Sequence, residues 1–452
     1  MKQAMEWKKY MAAAAVLSAI LMGVLDGTIM NVALPTLAAE FGVTASEVIW
    51  VTNSYQLVVT MFLLGCAATG DVWGYRKVFL CGVSIFVLGS LGCACSHSFH
   101  QLIACRVIQG CGVACTMSIN TALIRLIFPP RLLGRVIGTN AVVVAATAAG
   151  GPTLGGLLVG FASWRWIYLL NIPLGLLAII IGWRLLPENP VPPQGKQQQL
   201  DIASVVLNAM FFGLLIYGVE LFAHGEQTLL LPLTGAWIAV GVVYVRRQLG
   251  LKTPILPIDL LKRRLFALSV TCSIFCFVAQ MLALVSIPFL IQKVWGRSVV
   301  ETGMLITPWP LATSLTAPLA GRLIEKVRAG LLGGMGMLVF VAGLACLYLT
   351  DEAVSTVDIG WRMAMCGVGI GLFQTPNNVT ITASAPLHRS GGASGMLGTA
   401  RLLGQTLGTA LVAIFFRLWT GSNGVTACLW AAMGFAAAAG IVSIVRVVDT
   451  KG

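Results

Sequence analysis

Long apolar stretches, separated by short polar ones, recur from one end of the chain to the other. The first runs from Tyr10 to Leu34 and carries a single charge, Asp26. A helix needs about 20 mostly apolar residues to cross a hydrocarbon core of ~30 Å. Fourteen stretches satisfy this, at 10–34, 47–69, 77–96, 100–124, 136–160, 164–186, 201–222, 228–245, 265–290, 302–321, 330–350, 360–383, 394–416 and 425–446. Their apolar runs are continuous rather than alternating, so the pattern predicts helices and excludes a transmembrane β-barrel. The expected fold class is an all-α polytopic membrane protein.

Two longer polar segments divide the pattern. "PENPVPPQGKQQQL" (187–200) is rich in Pro and Gln, and the basic "RRQLGLKTPILPIDLLKRR" (246–264) suits the membrane surface. They bracket spans 7 and 8 and set off an N-terminal six-helix bundle (1–186) from a C-terminal one (265–452), with 187–264 as linkers and two extra central helices. The bundles look like weak repeats. Charged turns "AATGDVWGYRK" and "GRLIEKVRAG" follow the second span of each, and "FPPRLLGRVIG" and "APLHRSGGASG" follow the fourth. Repeated halves with a site between them are a common transporter plan.

Composition sharpens this reading. Only 10% of the 452 residues are charged and 58% are hydrophobic, whereas a soluble chain carries about a quarter charged residues. The net charge of +13 could suggest nucleic acid, but its placement argues for topology instead. With the N-terminus in the cytoplasm, 22 of the 29 Lys and Arg residues fall at cytoplasmic ends and loops, 5 fall outside, and Arg106 and Arg401 lie within spans. This is the positive-inside rule, with both termini cytoplasmic in a bacterial inner membrane. The first apolar run is longer than a signal-peptide h-region and lacks a small-residue cleavage site. The 12 cysteines fall mostly within spans, with no CxxC pair, and read as small packing residues.

The candidate chemistry lies inside the spans. A carboxylate at the depth of Asp26 costs several kcal/mol unless paired, protonated or facing water. At 1.5 Å per residue Asp26 lies ~24 Å above the cytoplasmic boundary and Arg106 ~21 Å, so the two predict a pair between spans 1 and 4. Arg106, Gln109, Gly110, Val113, Met117 and Asn120 share one face of span 4, and Trp50, Asn53, Gln56 and Thr60 recur at helical spacing in span 2. Spans 12 and 13 offer Gln374, Asn377, Asn378, Arg401 and Gln405, and "TPWP" in span 10 should bend its helix. Polar stripes at similar depth predict a shared cavity; packing glue is the alternative for each residue singly. Asp26 is the only deep acid, because Glu220 should reach the outer interface. No HExxH, CxxC, Ser–His or Walker-type arrangement occurs, which argues against an enzyme or an ATP-driven motor.

Several of these segments together resemble the 14-helix drug:proton antiporters of the major facilitator superfamily. "LDGTIMNVALP" is similar to the first-helix motif through Asp26, Thr28, Asn31 and Pro35. "CRVIQGCGVA" resembles the fourth-helix motif, and "GGPTLGG" resembles the antiporter motif through Gly151, Pro152, Gly155 and Gly156. "WRWIYLLNIPLG" and "GASGMLGTARLLGQTLG" resemble stretches of the 14-helix branch. The loop motif keeps Asp71, Gly74 and Arg76, while Ala67, Val72 and Tyr75 depart from it, so some gating contacts must differ.

The resemblance implies two bundles rocking about a central cavity, with helices 7 and 8 peripheral. It implies proton-coupled export of lipophilic drugs, with Asp26 and Arg106 coupling proton to substrate and discharge of Asp26 favouring release. A single deep carboxylate offsets about one positive charge, so monocations should be preferred. Asn31, Asn53, Gln56, Gln109, Gln374, Asn377 and Asn378 would line the cavity, and Asp71, Gly74, Arg76, Gly151 and Pro152 would serve gating. The chain should work as a monomer among membrane lipids, without cofactor or metal, on the proton motive force. Export or import of a specific metabolite is the alternative, a polytopic lipid enzyme the remote one, and a non-transporting sensor fits the antiporter motif poorly.

Overall fold

The computed structural model describes residues 2–188, 201–224, 227–251, 258–350, 355–385, 390–419 and 421–449. Most of the Pro- and Gln-rich linker, the centre of the basic segment and part of the "APLHRSGGASG" repeat lie outside them.

The described chain is helical almost throughout. The first half comprises α1 (Lys2–Phe41), α2 (Ala45–Val48), α3 (Trp50–Trp73), α4 (Tyr75–Ala94), α5 (Phe99–Ile127), α6 (Pro130–Phe161), α7 (Arg165–Leu169) and α8 (Asn171–Leu185). Then come α9 (Ile202–His224), α10 (Gln227–Leu249) and the short α11 (Ile258–Leu261). The second half comprises α12 (Arg264–Phe289), a π turn (Leu290–Val294), α13 (Val299–Ile306), α14 (Pro308–Leu323), α15 (Ala329–Tyr348), α16 (Thr356–Ala383), α17 (Ser390–Leu418) and α18 (Ser422–Asp449).

Among the described residues, ten helices or helix pairs are long and apolar enough to cross a membrane. The remaining expected spans are helical as well, as α9, α10, the α13–α14 pair and α16. Fourteen rods therefore run to and fro, and both ends of the chain reach the same face, here the termini face; the opposite one is the far face.

Local chemistry sets the boundaries. Gly74 separates α3 from α4 with φ +99°, a conformation costly for any residue with a Cβ. Thr44 and Ser298 start α2 and α13 with capping boxes closed by Glu47 and Glu301. The helix of span 10 is interrupted at Thr307, ahead of Pro308 and Pro310, which lack backbone donors.

The first half has its own apolar core around Val16, Met22, Val83, Phe86 and Val113. Toward the far face a second core joins the halves, with Ile29 and Leu34 of α1 packed in one cluster with Val285 of α12, Leu305 of α13 and Val412 of α17. Hydrogen bonds reinforce that seal. Ser46 Oγ donates to the Ala413 carbonyl at 2.9 Å, Gln292 Nε2 to the Val32 carbonyl at 3.0 Å, and Thr409 Oγ1 to Gln56 Oε1 at 3.0 Å. The hydroxyls of Thr153 and Thr307 are 2.6 Å apart and those of Thr60 and Thr406 are 3.4 Å apart. All of these lie at mid-depth or beyond it toward the far face.

A run of small residues permits the closest approach. A Cβ on Gly151 would collide with the Thr28 side chain, and one on Gly155 would lie 2.8 Å from Ile29 Cγ2. On the adjacent face of α6, a Cβ on Gly156 would lie 2.7 Å from the Val299 carbonyl oxygen. Thus α6 is wedged between α1 of its own half and α13 of the other. The α9–α10 hairpin flanks the seam. Asn208 Nδ2 donates to the Met61 carbonyl of α3 at 2.8 Å and accepts from Tyr244 Oη at 3.0 Å.

Candidate functional site

α1 and α5 lie against each other through small contacts: a Cβ on Gly23 would touch Val113 at 3.9 Å. This brings Asp26 and Arg106 together at the level expected from their depths. Arg106 Nη1 donates to Asp26 Oδ2 at 2.5 Å, and both side chains are fully buried. Gln109, one turn along α5, completes a ring. Its Nε2 donates to Asp26 Oδ1 at 3.1 Å and to Ser90 Oγ of α4 at 2.9 Å, while its Oε1 accepts from Arg106 Nη1 at 2.7 Å.

Two further partners hold the guanidinium. Arg106 Nε donates to the Val51 carbonyl of α3 at 2.9 Å, and its Cζ lies 4.2 Å from the centre of the Tyr55 ring. The Tyr168 ring is 5.9 Å away on another side. The aromatic faces attract the cation where Arg106 Nη2 has no hydrogen-bond acceptor. A buried ion pair tolerates desolvation only when further partners surround it, and removing either charge strands the other. Within the ring the charges of Asp26 and Arg106 therefore offset each other.

The other residues expected at the site divide into groups. Gln56 is half-buried and meets Thr409 across the seam. Asn31 is buried with its Oδ1 unpaired, and Asn53 is 1% exposed with neither amide atom partnered. Gln374 and Asn378 are half-buried on α16. Asn377 is placed elsewhere, inside the second half. It donates to the Ser269 carbonyl at 3.1 Å and to Ser273 Oγ at 2.7 Å, and accepts from Arg446. Arg446 is 2% exposed and also donates to Ser269 Oγ and Ser443 Oγ, so Asn377 serves a buried cation rather than a cavity wall.

Among the expected gating residues, Arg76 donates to the Trp183 carbonyl and to Glu188 Oε1 at 3.2 Å, tying the turn at Gly74 to the end of α8. The side chain of Asp71 lies outside the described ones. Gly151 and Pro152 sit in the α6 wedge, where a Cβ on Gly303 would strike the Pro152 carbonyl.

Ser90, Tyr55, Tyr168 and the Val51 carbonyl complete the ion-pair cluster and were not foreseen from sequence. Tyr55 had a weak signal, since it lies one residue before Gln56 in a span whose polar stripe was already noted. Ser90 and Tyr168 had none, because their helices carry no deep charge. At the far face a cleft of about 750 Å³ is lined by Glu40, Glu47, Trp50, His97 and His100. Its acids are engaged: Glu40 lies 3.9 Å from Arg165, and Glu47 closes the cap of α2. Among the described residues no group of His, Cys, Asp and Glu could hold a metal ion.

Comparison with known proteins agrees with this architecture. The model of the Major Facilitator Superfamily matches residues 16–409. The chain is 48% identical to the uncharacterized transporter YebQ of Escherichia coli (strain K12), over 98% of this chain and 97% of that protein. It is 31% identical to the multidrug resistance protein Stp of Mycobacterium tuberculosis (strain CDC 1551 / Oshkosh), covering 87% of this chain and 73% of that one. It is 29% identical to the riboflavin transporter RibZ of Clostridioides difficile (strain 630), covering 88% and 86%. The solved D-xylose–proton symporter superposes with a TM-score of 0.65 at 14% identity, over 96% of each chain, a likeness of fold. The chain belongs to the Major Facilitator Superfamily and is a membrane transporter.

Proposed function

We propose that this transporter is a proton-coupled antiporter that exports lipophilic compounds, drugs among them, across the bacterial inner membrane by alternating access. One observation carries the reading: the deep acid Asp26 is sealed with Arg106 and Gln109 in a ring that a single proton would break. The ring is joined to the seam between the halves. Two and three residues beyond Asp26, Thr28 and Ile29 abut Gly151 and Gly155 of α6, and α6 meets α13 of the other half on the adjacent face. Proton uptake at Asp26 would strand Arg106 at a cost of several kcal/mol, and repacking of α1 against α6 would transmit that cost to the seal.

In this scheme residues 1–186 and 265–452 rock as two six-helix bundles, with 187–264 peripheral. Both termini are cytoplasmic, the unit is a monomer in lipid, and the proton motive force replaces any cofactor. The likeness to the multidrug resistance protein Stp supports export of drugs. The likeness to the riboflavin transporter RibZ supports a second reading, movement of one specific metabolite. The ring itself does not support the expected preference for monocations, because the charges of Asp26 and Arg106 cancel at 2.5 Å.

Everted membrane vesicles energised by a pH gradient test the proposal, with a panel of dyes, drugs and riboflavin as solutes. Gradient-driven uptake of several unrelated solutes is expected. Uptake that ignores the gradient would contradict proton coupling, and uptake of one solute alone would favour the metabolite reading.

A further inference from the structure

Arg401 lies near mid-depth on α17, eleven residues or ~16 Å from the start of that helix. It is exposed, although the helix around it is packed on both sides. Gly404 and Gly408 press on Ile274, Phe277 and Met281 of α12, while Thr406 and Thr409 meet Thr60 and Gln56 of α3. At 100° per residue Arg401 falls between those two contact faces. It therefore points into the space between the halves and not to lipid. Met117 has the same character on α5: it is 45% exposed, yet it lies between the faces that meet α1 and α3.

The charge of Arg401 has no answer. Among the described residues it forms no ion pair and no hydrogen bond, and its Cζ rests 5.8 Å from the centre of the Phe277 ring. The nearest deep carboxylate is committed elsewhere. On α3, about ten residues separate the level of Val51, which holds Arg106, from the level opposite Arg401, and this corresponds to ~15 Å. Asp26 and Arg106 neutralise each other there, so the space around Arg401 carries one net positive charge. Arginine stays charged at any working pH, and an uncompensated cation at this depth calls for an anionic partner.

We propose that Arg401 is the substrate-binding cation of this transporter and that its preferred solutes are amphipathic organic anions, each with one carboxylate or sulfonate on an aromatic body. The guanidinium presents a planar fork that matches a carboxylate two-on-two. Gln405, half-buried one turn along the same face, offers an amide to the solute's other polar groups. This inference names the substrate class of the transport reading above and rests on it.

The test uses three probes sharing one ring system: 2-naphthoate, neutral 2-naphthamide and 2-naphthylmethylammonium. Their binding to the full-length protein in lipid nanodiscs is measured by calorimetry, without any proton gradient, for wild type, Arg401→Gln and Arg401→Lys. Wild type is expected to bind naphthoate most tightly and the ammonium probe least. Arg401→Gln should weaken naphthoate about ten- to hundredfold and leave naphthamide nearly unchanged. Arg401→Lys should retain much of the anion preference, and it carries the test if the Gln variant does not fold. Tighter binding of the ammonium probe by wild type, no binding of naphthoate, or equal naphthoate affinity in the Gln variant would overturn the proposal. Because binding is read without a gradient, failure of proton coupling in vesicles would leave this result standing, and the reverse also holds.

Discussion

Gly303 of α13 sits in a tight backbone contact between the two halves, and replacing it with alanine should loosen the far-face seal. A Cβ there would strike the Pro152 carbonyl oxygen, with the Pro152 carbonyl carbon at 3.0 Å and Gly156 Cα at 3.2 Å. These are backbone atoms that no rotamer change can move aside. One extra methyl in so tight a contact costs about 1–3 kcal/mol. The cost falls only on the state in which α6 and α13 touch, so the sealed-to-open ratio should drop about 5- to 150-fold. Gly150→Ala is the control, because nothing lies within 4 Å of its Cβ position and it reports only the better helix propensity of alanine. Spin labels placed through non-natural residues at Phe161 and Leu418, both exposed near the far face on opposite halves, read the separation by pulsed dipolar spectroscopy. Gly303→Ala should populate longer distances than wild type and Gly150→Ala should not. Identical distributions for Gly303→Ala and wild type would refute the view that this contact holds the seal.

Asn377→Ala should lower the thermal midpoint of the purified protein by removing an acceptor from buried Arg446, a loss of about 1–3 kcal/mol, while the KM for transported solutes stays unchanged in the folded fraction; a large KM change with normal stability would return Asn377 to the cavity wall. Asp201 ties the start of α9 to Arg247 near the end of α10, with Nη2 to Oδ1 at 2.6 Å. The Arg247 guanidinium and then the Ser204 hydroxyl and amide hold the Asp201 carboxyl below its ordinary value of 3.8. Because the folded value is the lower one, this contribution is complete above the ordinary value and fades as pH falls through the folded one. Asp201→Asn should therefore speed amide exchange at the start of α9 at neutral pH and make no difference in strong acid; equal exchange at neutral pH would remove the tie.

Much of the fold was legible because the bilayer imposes a strict length and polarity on each helix. Depth alone paired Asp26 with Arg106, since two isolated charges at one level have few other solutions. Depth does not say which way a helix face turns. Asn377 and Asn378 are adjacent in sequence, yet the first is consumed by Arg446 inside the second half and the second stays half-buried. Arg446 is the last residue of its expected span, and only packing against Ser269 and Ser443 reveals it as buried. Arg401 was visible as an intramembrane charge, but its lack of a partner is a property of the assembled halves. The monocation expectation arose from the same limit: it treated Asp26 as an available charge, and the ring around it shows that charge already spent on Arg106.

The central claim is that one proton at Asp26 drives the transport cycle. The direct measurement is proton movement itself, followed with a pH indicator in weakly buffered proteoliposomes holding purified wild-type protein or Asp26→Asn. A transported solute added to wild type should move protons against the solute flux in a fixed ratio. Asp26→Asn, correctly folded, should move none and should at most equilibrate the solute. Solute-coupled proton flux of wild-type size in Asp26→Asn would contradict the account.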